Sequence, residues 1–508
     1  MFRLRVLALV VVLGLFQVDF SAAADAPSNG PSDLPARTAV THHQIVVDGH
    51  VLRYTATAGF TMLRDKADEP TAAMFSVSYA LDGPAHATRP VTFLWNGGPG
   101  SSSVWLHMGS FAPVRVATND TGPIGPPGKM VENEDTLLTA TDLVFVDAPG
   151  TGYSRIVGKG TKDDFYGVDQ DARAFTQFIQ RWLTQNDRWG SPKFLIGESY
   201  GTARAANVVN RLEAAGVGIN GVVLISSYLD LSALDPATAG DDRVYVNFLP
   251  SEAAVAWYQN ALPARTGTLE SFLDGVRAFA AGPYATALLQ GDTLPASERD
   301  RIVQTLHADL GLSTSYIEEA NLRIDPTHFE KELLRDRGLI VGRLDGRFLG
   351  YDLDRTADSP SYDPTTDMMI EDVFVSEFNR YVHDDLHFDD NQPYLPENYG
   401  EVGQAWNFSR DQSDPQVSTF DPNLIPDLAR ALTVNPTLRV FAANGWFDLA
   451  SPFFGTELAL RHLGIAPELR SHVTLGYYPS GHMIYLNPAS RHKLRADIAS
   501  FIGAATAP

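Results

Sequence analysis

The chain has 508 residues, 44% of them hydrophobic, which is enough apolar material for one large core or about three smaller domains. Its 61 acidic against 39 basic side chains give a formal charge of -22, which argues against nucleic acid as a partner, since that would need a basic patch. The cysteine count is zero, so a disulfide framework, a thiol nucleophile and a zinc–thiolate site are all excluded.

Arg3 and Arg5 precede an apolar run at residues 6–16, and Ala22, Ala23 and Ala24 then supply small residues before Asp25. The pattern predicts a signal peptide over residues 1–24, cleaved near Ala24, and an exported protein, periplasmic or extracellular. The apolar run is well short of the roughly 20 residues of a membrane span, so no stable anchor is expected after processing. Residues 25–40, rich at first in Pro, Ser, Gly and Asp, read as a flexible lead-in.

Strand patterns begin next. Residues 44–47 and 51–54 flank Asp48-Gly49 and predict a hairpin. Residues 74–80 predict another strand. Four short apolar runs follow, at 91–95, 143–146, 194–196 and 222–225, each ahead of a glycine-containing loop. Such runs suit strands buried on both faces. Between them Ala172, Phe175, Ile179 and Trp182 keep helical spacing, as do Ala205, Val208, Val209 and Leu212. The alternation predicts an α/β fold with a central, mainly parallel sheet flanked by helices.

The alternation breaks over residues 230–430, which read as a large helical and irregular cap insertion. Helices are expected at 251–262, 268–281, 296–310 and 327–337, and irregular chain at 350–416. Strands resume at 438–442 and 473–477, and a closing helix at 489–502 buries Leu494, Ile498 and Phe501. The core is therefore expected to comprise residues 41–229 and 431–508.

Gly197-Glu198-Ser199-Tyr200-Gly201 fits a Gly-x-Ser-x-Gly nucleophile elbow, with an apolar strand before it and a helix-compatible run after. A serine attacks only if a base takes its proton and an acid orients that base. In this fold the acid and the histidine follow the serine along the chain. Asp448 and His482 stand in that order, each just past a strand. An oxyanion needs two preorganised N–H donors. Tyr200 supplies one, and the glycine loop Asn96-Gly97-Gly98-Pro99-Gly100 stands where the other is needed. No Gly-Lys-Ser/Thr follows that loop, which discounts a phosphate site.

Asn96 to Ser102, with Trp95 before it, resembles the Asn-Gly-Gly-Pro-Gly signature of serine carboxypeptidases. Val146-Asp147-Ala148-Pro149-Gly150-Thr151-Gly152-Tyr153-Ser154 is similar to their second signature, and Gly481-His482-Met483 to their histidine motif. The resemblance implies peptide substrates with a free C-terminus, an acyl-enzyme on Ser199 and an acidic pH optimum. It assigns Asn96 and Glu198 to the substrate carboxylate, and Gly98 and Tyr200 to the oxyanion. No cofactor or metal is expected. Ser101 stands where most members have a cysteine. Ser110 stands near a second glutamate of some members, and Ala148 replaces a common glutamine. Thr202-Ala203-Arg204 replaces the usual residues after the elbow. The absent cysteines suggest a bacterial-type branch. An esterase or acyltransferase on the same fold, and a non-catalytic binding protein on a hydrolase scaffold, are the alternatives. His383 and His387 have the spacing of metal ligands, but no third ligand accompanies them, and Asp352, Asp354 and Asp358 lack the remaining features of a calcium loop. Both read as solvated acidic segments.

Overall fold

A computed structural model describes residues 37–83, 88–234, 240–367, 370–410 and 422–507. The expected signal peptide and residues 25–36 of the lead-in lie outside the described residues. The last part of the lead-in does not continue as loop, because a strand already begins at Thr38.

Among the described residues the chain builds one ten-stranded sheet. Its path uses β1 (Thr38–Val47), β2 (His50–Arg64), β3 (Pro70–Leu81), β4 (Val91–Trp95) and β5 (Asp142–Val146). It continues with β6 (Lys193–Ser199), β7 (Gly221–Ser227), β8 (Arg439–Gly445) and β9 (Val473–Tyr478). The spatial order is β1-β2-β3-β5-β4-β6-β7-β8-β9, with a two-residue strand, Arg155–Ile156, paired to β3. The first three strands are antiparallel, and β5 through β9 run parallel to one another. Asp48 and Gly49 turn the first hairpin with φ of 52° and 77°, the left-handed conformation that tight turns require.

The short apolar runs are fully buried because the parallel strands are covered on both faces. On one face Phe93, Trp95, Leu195 and Val222 meet Phe175 and Phe178 of the helix Val168–Gln185 and Val208 and Leu212 of the helix Tyr200–Ala214. On the other face Leu94, Ile196 and Val223 meet Leu494, Ile498 and Ile502 of the closing helix Pro488–Thr506. Ile502 takes the deep position, at 2% exposure, and Phe501 is only half-buried at the rim.

The chain leaves the sheet after β7 and returns at β8. The segment between contributes Leu249, Val255, Leu273, Leu306 and Phe329 to a further apolar cluster. Helices lie at Arg243–Tyr258, Leu269–Phe279, Ala296–Leu310 and Pro326–Glu332. Two features differ from the sequence reading. Residues 350–416 are not irregular throughout, since Glu371–Asp384 is a helix. Its Val373, Phe374, Phe378, Tyr381 and Val382 face the sheet's core at helical spacing, a stripe hidden among flanking Asp, Pro and Tyr. The helix Ile425–Val434 spans the expected boundary at 430, and its Leu428, Ala431 and Leu432 belong to the core beside the helix Tyr200–Ala214. His383 pairs with Asp384 at the surface, as expected of a solvated segment, but Asp352 is not solvated, since its side chain is buried against Lys331.

Phe178 is fully buried and meets Phe93 edge-on, ring centroids 6.4 Å apart. Phe178→Ala removes that contact from a close-packed interface, so a loss of about 3–5 kcal/mol is expected. The check is the urea midpoint of the purified variant, and an unchanged midpoint contradicts this packing.

Candidate active site

Because β4 to β9 run parallel, the loops after their C-terminal ends emerge along one edge of the sheet, where α/β folds build their sites. Ser199 closes β6 and precedes the helix Tyr200–Ala214 with φ 60° and ψ -133°. For a residue with a side chain this is a strained conformation, costing about 1–3 kcal/mol. Glycines make the turn possible. A Cβ on Gly197 would stand 2.0 Å from Gly201 O, and one on Gly201 would stand 2.9 Å from Trp95 Cδ1. The register of Trp95 with Gly197 brings the Asn96–Gly100 loop onto the elbow. A Cβ on Gly97 would lie 2.5 Å from Tyr200 N, so the backbones of the glycine loop and the elbow are in contact. Gly98 has φ 103° and follows directly. Gly98 and Tyr200 thus belong to two adjoining backbone segments, an arrangement that can offer two N–H groups to one oxygen.

Asp448 and His482 come together after β8 and β9. His482 Nδ1 lies 2.9 Å from Asp448 Oδ2, and both side chains are buried. Asp448 Oδ1 accepts from the Ala450 and Ser451 N–H groups, each at 2.8 Å, and Oδ2 also accepts from Ser451 Oγ at 2.8 Å. Burial pulls the His482 pKa down, but the charge and hydrogen bond of Asp448 outweigh it and hold the value above the usual one. Ser199 reaches this pair through its neighbour strand. It is in register with Ser227, and Ser226 Oγ donates to His482 O at 2.7 Å. No direct hydrogen bond joins Ser199 to His482 among the described residues. Such bonds are often long in ligand-free enzymes and tighten on the substrate.

Glu198 and Asn96 also meet. Asn96 Nδ2 donates to Glu198 Oε1 at 2.6 Å, while Asn96 Oδ1 accepts from Leu106 N at 2.8 Å. Tyr485 Oη donates to the same Oε1 at 3.2 Å. The other oxygen, Oε2, is buried without a partner among the described residues. Burial is the largest influence on Glu198 and pushes its pKa up to about 7, against the smaller opposing effects of His482, Tyr485 and Asn96. Ser110, at the position noted in the sequence, turns away and donates to Leu106 O.

The sequence reading missed four contributors. Tyr485, three residues past His482, carries no local signal. Ser451 has one, since Asp-x-x-Ser suits a turn in which the aspartate caps the following N–H groups. Arg204 and Asp171 form a fully buried pair at 2.6 Å, and Arg204 Nη1 donates to Asn96 O at 2.6 Å. Among the described residues no group of three or more His, Cys, Asp or Glu is arranged to hold a metal ion.

Glu198 keeps its proton in the folded chain up to about pH 7, whereas at the ordinary value of 4.5 the unfolded chain has already released it. The stability this confers is full below about pH 4.5 and is lost as pH rises through about 7. Glu198→Gln removes the dependence. Relative to the variant, the wild type is therefore expected to lose about 3 kcal/mol between pH 4.5 and 8. Melting both proteins across that range checks this, and parallel pH profiles contradict it.

Residues 52–219 match the family model described as serine carboxypeptidase. The matched segment contains Asn96, Gly98, Glu198, Ser199 and Tyr200, while Asp448 and His482 lie beyond it. A pheromone-processing carboxypeptidase of Aspergillus niger is 25% identical over 167 residues, 32% of this chain and 26% of the relative. A serine carboxypeptidase-like protein of Arabidopsis thaliana is 33% identical over 118 residues, 22% of each chain. The matches span about a quarter of the length of these relatives. The crystal structure of a prohormone-processing carboxypeptidase of Saccharomyces cerevisiae is similar in fold, with a TM-score of 0.52 at 16% identity, covering 89% of this chain and 91% of that one. Residues 52–219 thus match the serine carboxypeptidase model, within a mixed α/β fold similar to that of the yeast carboxypeptidase.

Proposed function

We propose that the protein is a serine carboxypeptidase that releases C-terminal residues from peptides, with Ser199, His482 and Asp448 as its triad. The observation that carries the peptidase reading is Glu198 beside the elbow: Asn96 and Tyr485 hold its Oε1, while its buried Oε2 has no partner among the described residues. A carboxyl group kept neutral by burial can share its proton with a substrate carboxylate, which an ionised one would repel. An ester pocket has no use for such a group.

In the reaction, His482 takes the hydroxyl proton as Ser199 Oγ bonds to the terminal peptide carbonyl carbon. The carbonyl oxygen becomes an oxyanion held by the N–H groups of Gly98 and Tyr200. His482 then returns the proton to the leaving amine, and the C–N bond breaks. Water, activated by the same histidine, hydrolyses the acyl-enzyme and frees Ser199. Asp448 keeps the imidazole oriented and balances its charge. No cofactor enters this scheme.

The proposal extends to three features of the chain. One is a signal peptide over residues 1–24 and export, supported by Arg3, Arg5, the apolar run at 6–16 and the small residues Ala22, Ala23 and Ala24. The cysteine-free sequence favours a bacterial-type branch, although the relatives named above are fungal and plant. Residues 230–430 serve as a cap over the catalytic edge.

Ser199→Ala should lower kcat by roughly 10^4- to 10^6-fold while the fold is kept. Fluorophosphonate labelling should disappear with it, and near-normal turnover in the variant sinks the serine mechanism. KM for free-acid peptides should climb as pH rises through about 7, where Glu198 loses its proton. Low pH should reduce kcat as His482 becomes charged. With His482 held above its usual value and Glu198 at about 7, the optimum for kcat/KM is expected near pH 7, where the two limbs meet. Peptide amides, and Glu198→Gln with free acids, should show no such rise in KM. If KM for the free acid is flat while labelling persists, the esterase reading replaces this one.

A further inference from the structure

The loop between the short strands Leu339–Val341 and Leu349–Tyr351 belongs to the inserted segment, yet it touches both loops that carry the acid and the histidine. On the histidine side, Leu344 O accepts from His482 N at 2.6 Å and Asp345 Oδ2 accepts from Gly481 N at 2.9 Å. Two consecutive peptide N–H groups are therefore fixed by this loop. On the acid side, Gly346 N donates to Phe447 O at 2.9 Å and Leu449 N donates to Arg343 O at 3.0 Å, which brackets Asp448 from both neighbours. The backbones approach so closely that side chains are excluded. A Cβ on Gly481 would stand 2.4 Å from Asp345 Cβ, and one on Gly445 would stand 2.1 Å from Gly481 O.

A buried charge pair stiffens this contact. Asp345 and Arg347 are 1% and 5% exposed. Arg347 Nε donates to Asp345 Oδ1 at 2.9 Å and Nη2 to Oδ2 at 2.6 Å. Its Nη2 also reaches Ser480 Oγ at 3.2 Å, and its Nη1 pairs with Asp120 at 2.8 Å. The loop is anchored in turn by Asp363, whose carboxylate accepts from Arg343 N at 3.2 Å and Leu344 N at 3.0 Å.

We propose that Asp345 and Arg347 are positioning residues for the catalytic site, through which the inserted segment holds the loops of His482 and Asp448 in register. The inference rests on the triad reading above. A small tilt of the Gly481–His482 peptide swings the imidazole off Asp448 Oδ2, and an error of about 1 Å at reacting groups costs on the order of 100-fold in rate. The groups that face His482 are Asp448, Glu198 and the exposed Arg343 of this loop. A weaker hold by Asp448 leaves the effect of burial in charge, so His482 should take up its proton only at lower pH.

The experiment compares wild type, Asp345→Asn, Arg347→Met, Arg347→Lys and Leu306→Ala on free-acid peptides, with sites counted by fluorophosphonate titration. Leu306 is fully buried on the helix Ala296–Leu310, which contributes no residue to the loops of Asp448 and His482, so its variant tests general destabilisation. Asp345→Asn and Arg347→Met are expected to lower kcat per site roughly 10- to 100-fold with little change in KM. The acid limb of kcat against pH should move to lower pH. Arg347→Lys, which keeps the charge but not the forked geometry, should recover part of the rate. Leu306→Ala should melt earlier with kcat per site and pH profile intact. Wild-type kcat and an unmoved acid limb in Asp345→Asn and Arg347→Met overturn the proposal. So does the same fall and shift in Leu306→Ala. An active Ser199→Ala run in parallel would instead overturn the triad reading.

Discussion

The candidate site depends on one backbone constraint, the positive φ of Ser199 between β6 and the helix that follows. That turn can exist only where the chain on both sides lacks side chains, which accounts for Gly197 and Gly201 crossing at a distance no Cβ tolerates. It also dictates what must stand beside it. The β4 loop has to approach the elbow as bare backbone, and Gly97 does so against Tyr200 N. The strain is held by burial. β6 is enclosed on both faces, and Arg204 on the helix after the elbow ties Asn96 O to the buried Asp171.

The polar groups of the site divide into satisfied and unsatisfied ones, and the division follows their tasks. Asp448 is saturated by Ala450, Ser451 and His482, which fits a group that orients another and does not react. Glu198 keeps one buried oxygen without a partner among the described residues. A buried polar atom of that kind costs stability, about 1–3 kcal/mol when unmet.

Much of this was legible in the sequence because it depends on short-range requirements. The elbow needs glycines at fixed offsets from Ser199, the hairpin needs Asp48-Gly49, and strands buried twice read as unbroken apolar runs such as residues 91–95. Asp448 and His482 could be singled out because each stands just past a strand, in chain order. What stayed hidden depends on distance along the chain. Tyr485 meets Glu198 across 287 residues and Asp345 meets Gly481 across 136, and no spacing rule encodes either contact. The helix Glu371–Asp384 was hidden differently, since its apolar stripe sits within a segment whose composition is that of loops. Residue 110, near where some members of the resembled family have a second glutamate, is a serine that bonds its own turn, and a tyrosine from the far end of the chain meets Glu198.

The core of the inserted segment does not end at the insertion. Trp446, Phe447, Leu449, Phe453 and Phe454, which surround Asp448 along the chain, are members of the same apolar cluster as Leu249, Leu306 and Phe329. Excision at the sheet's edges, after residue 227 and before residue 439, would therefore cut through one continuous hydrophobic body. The segment is not a module that can be exchanged between related hydrolases by its ends alone. A chimaera that keeps its acid loop has to carry the matching aromatic residues across the junction, and evolutionary change in the insertion is tied to change in the loop of Asp448.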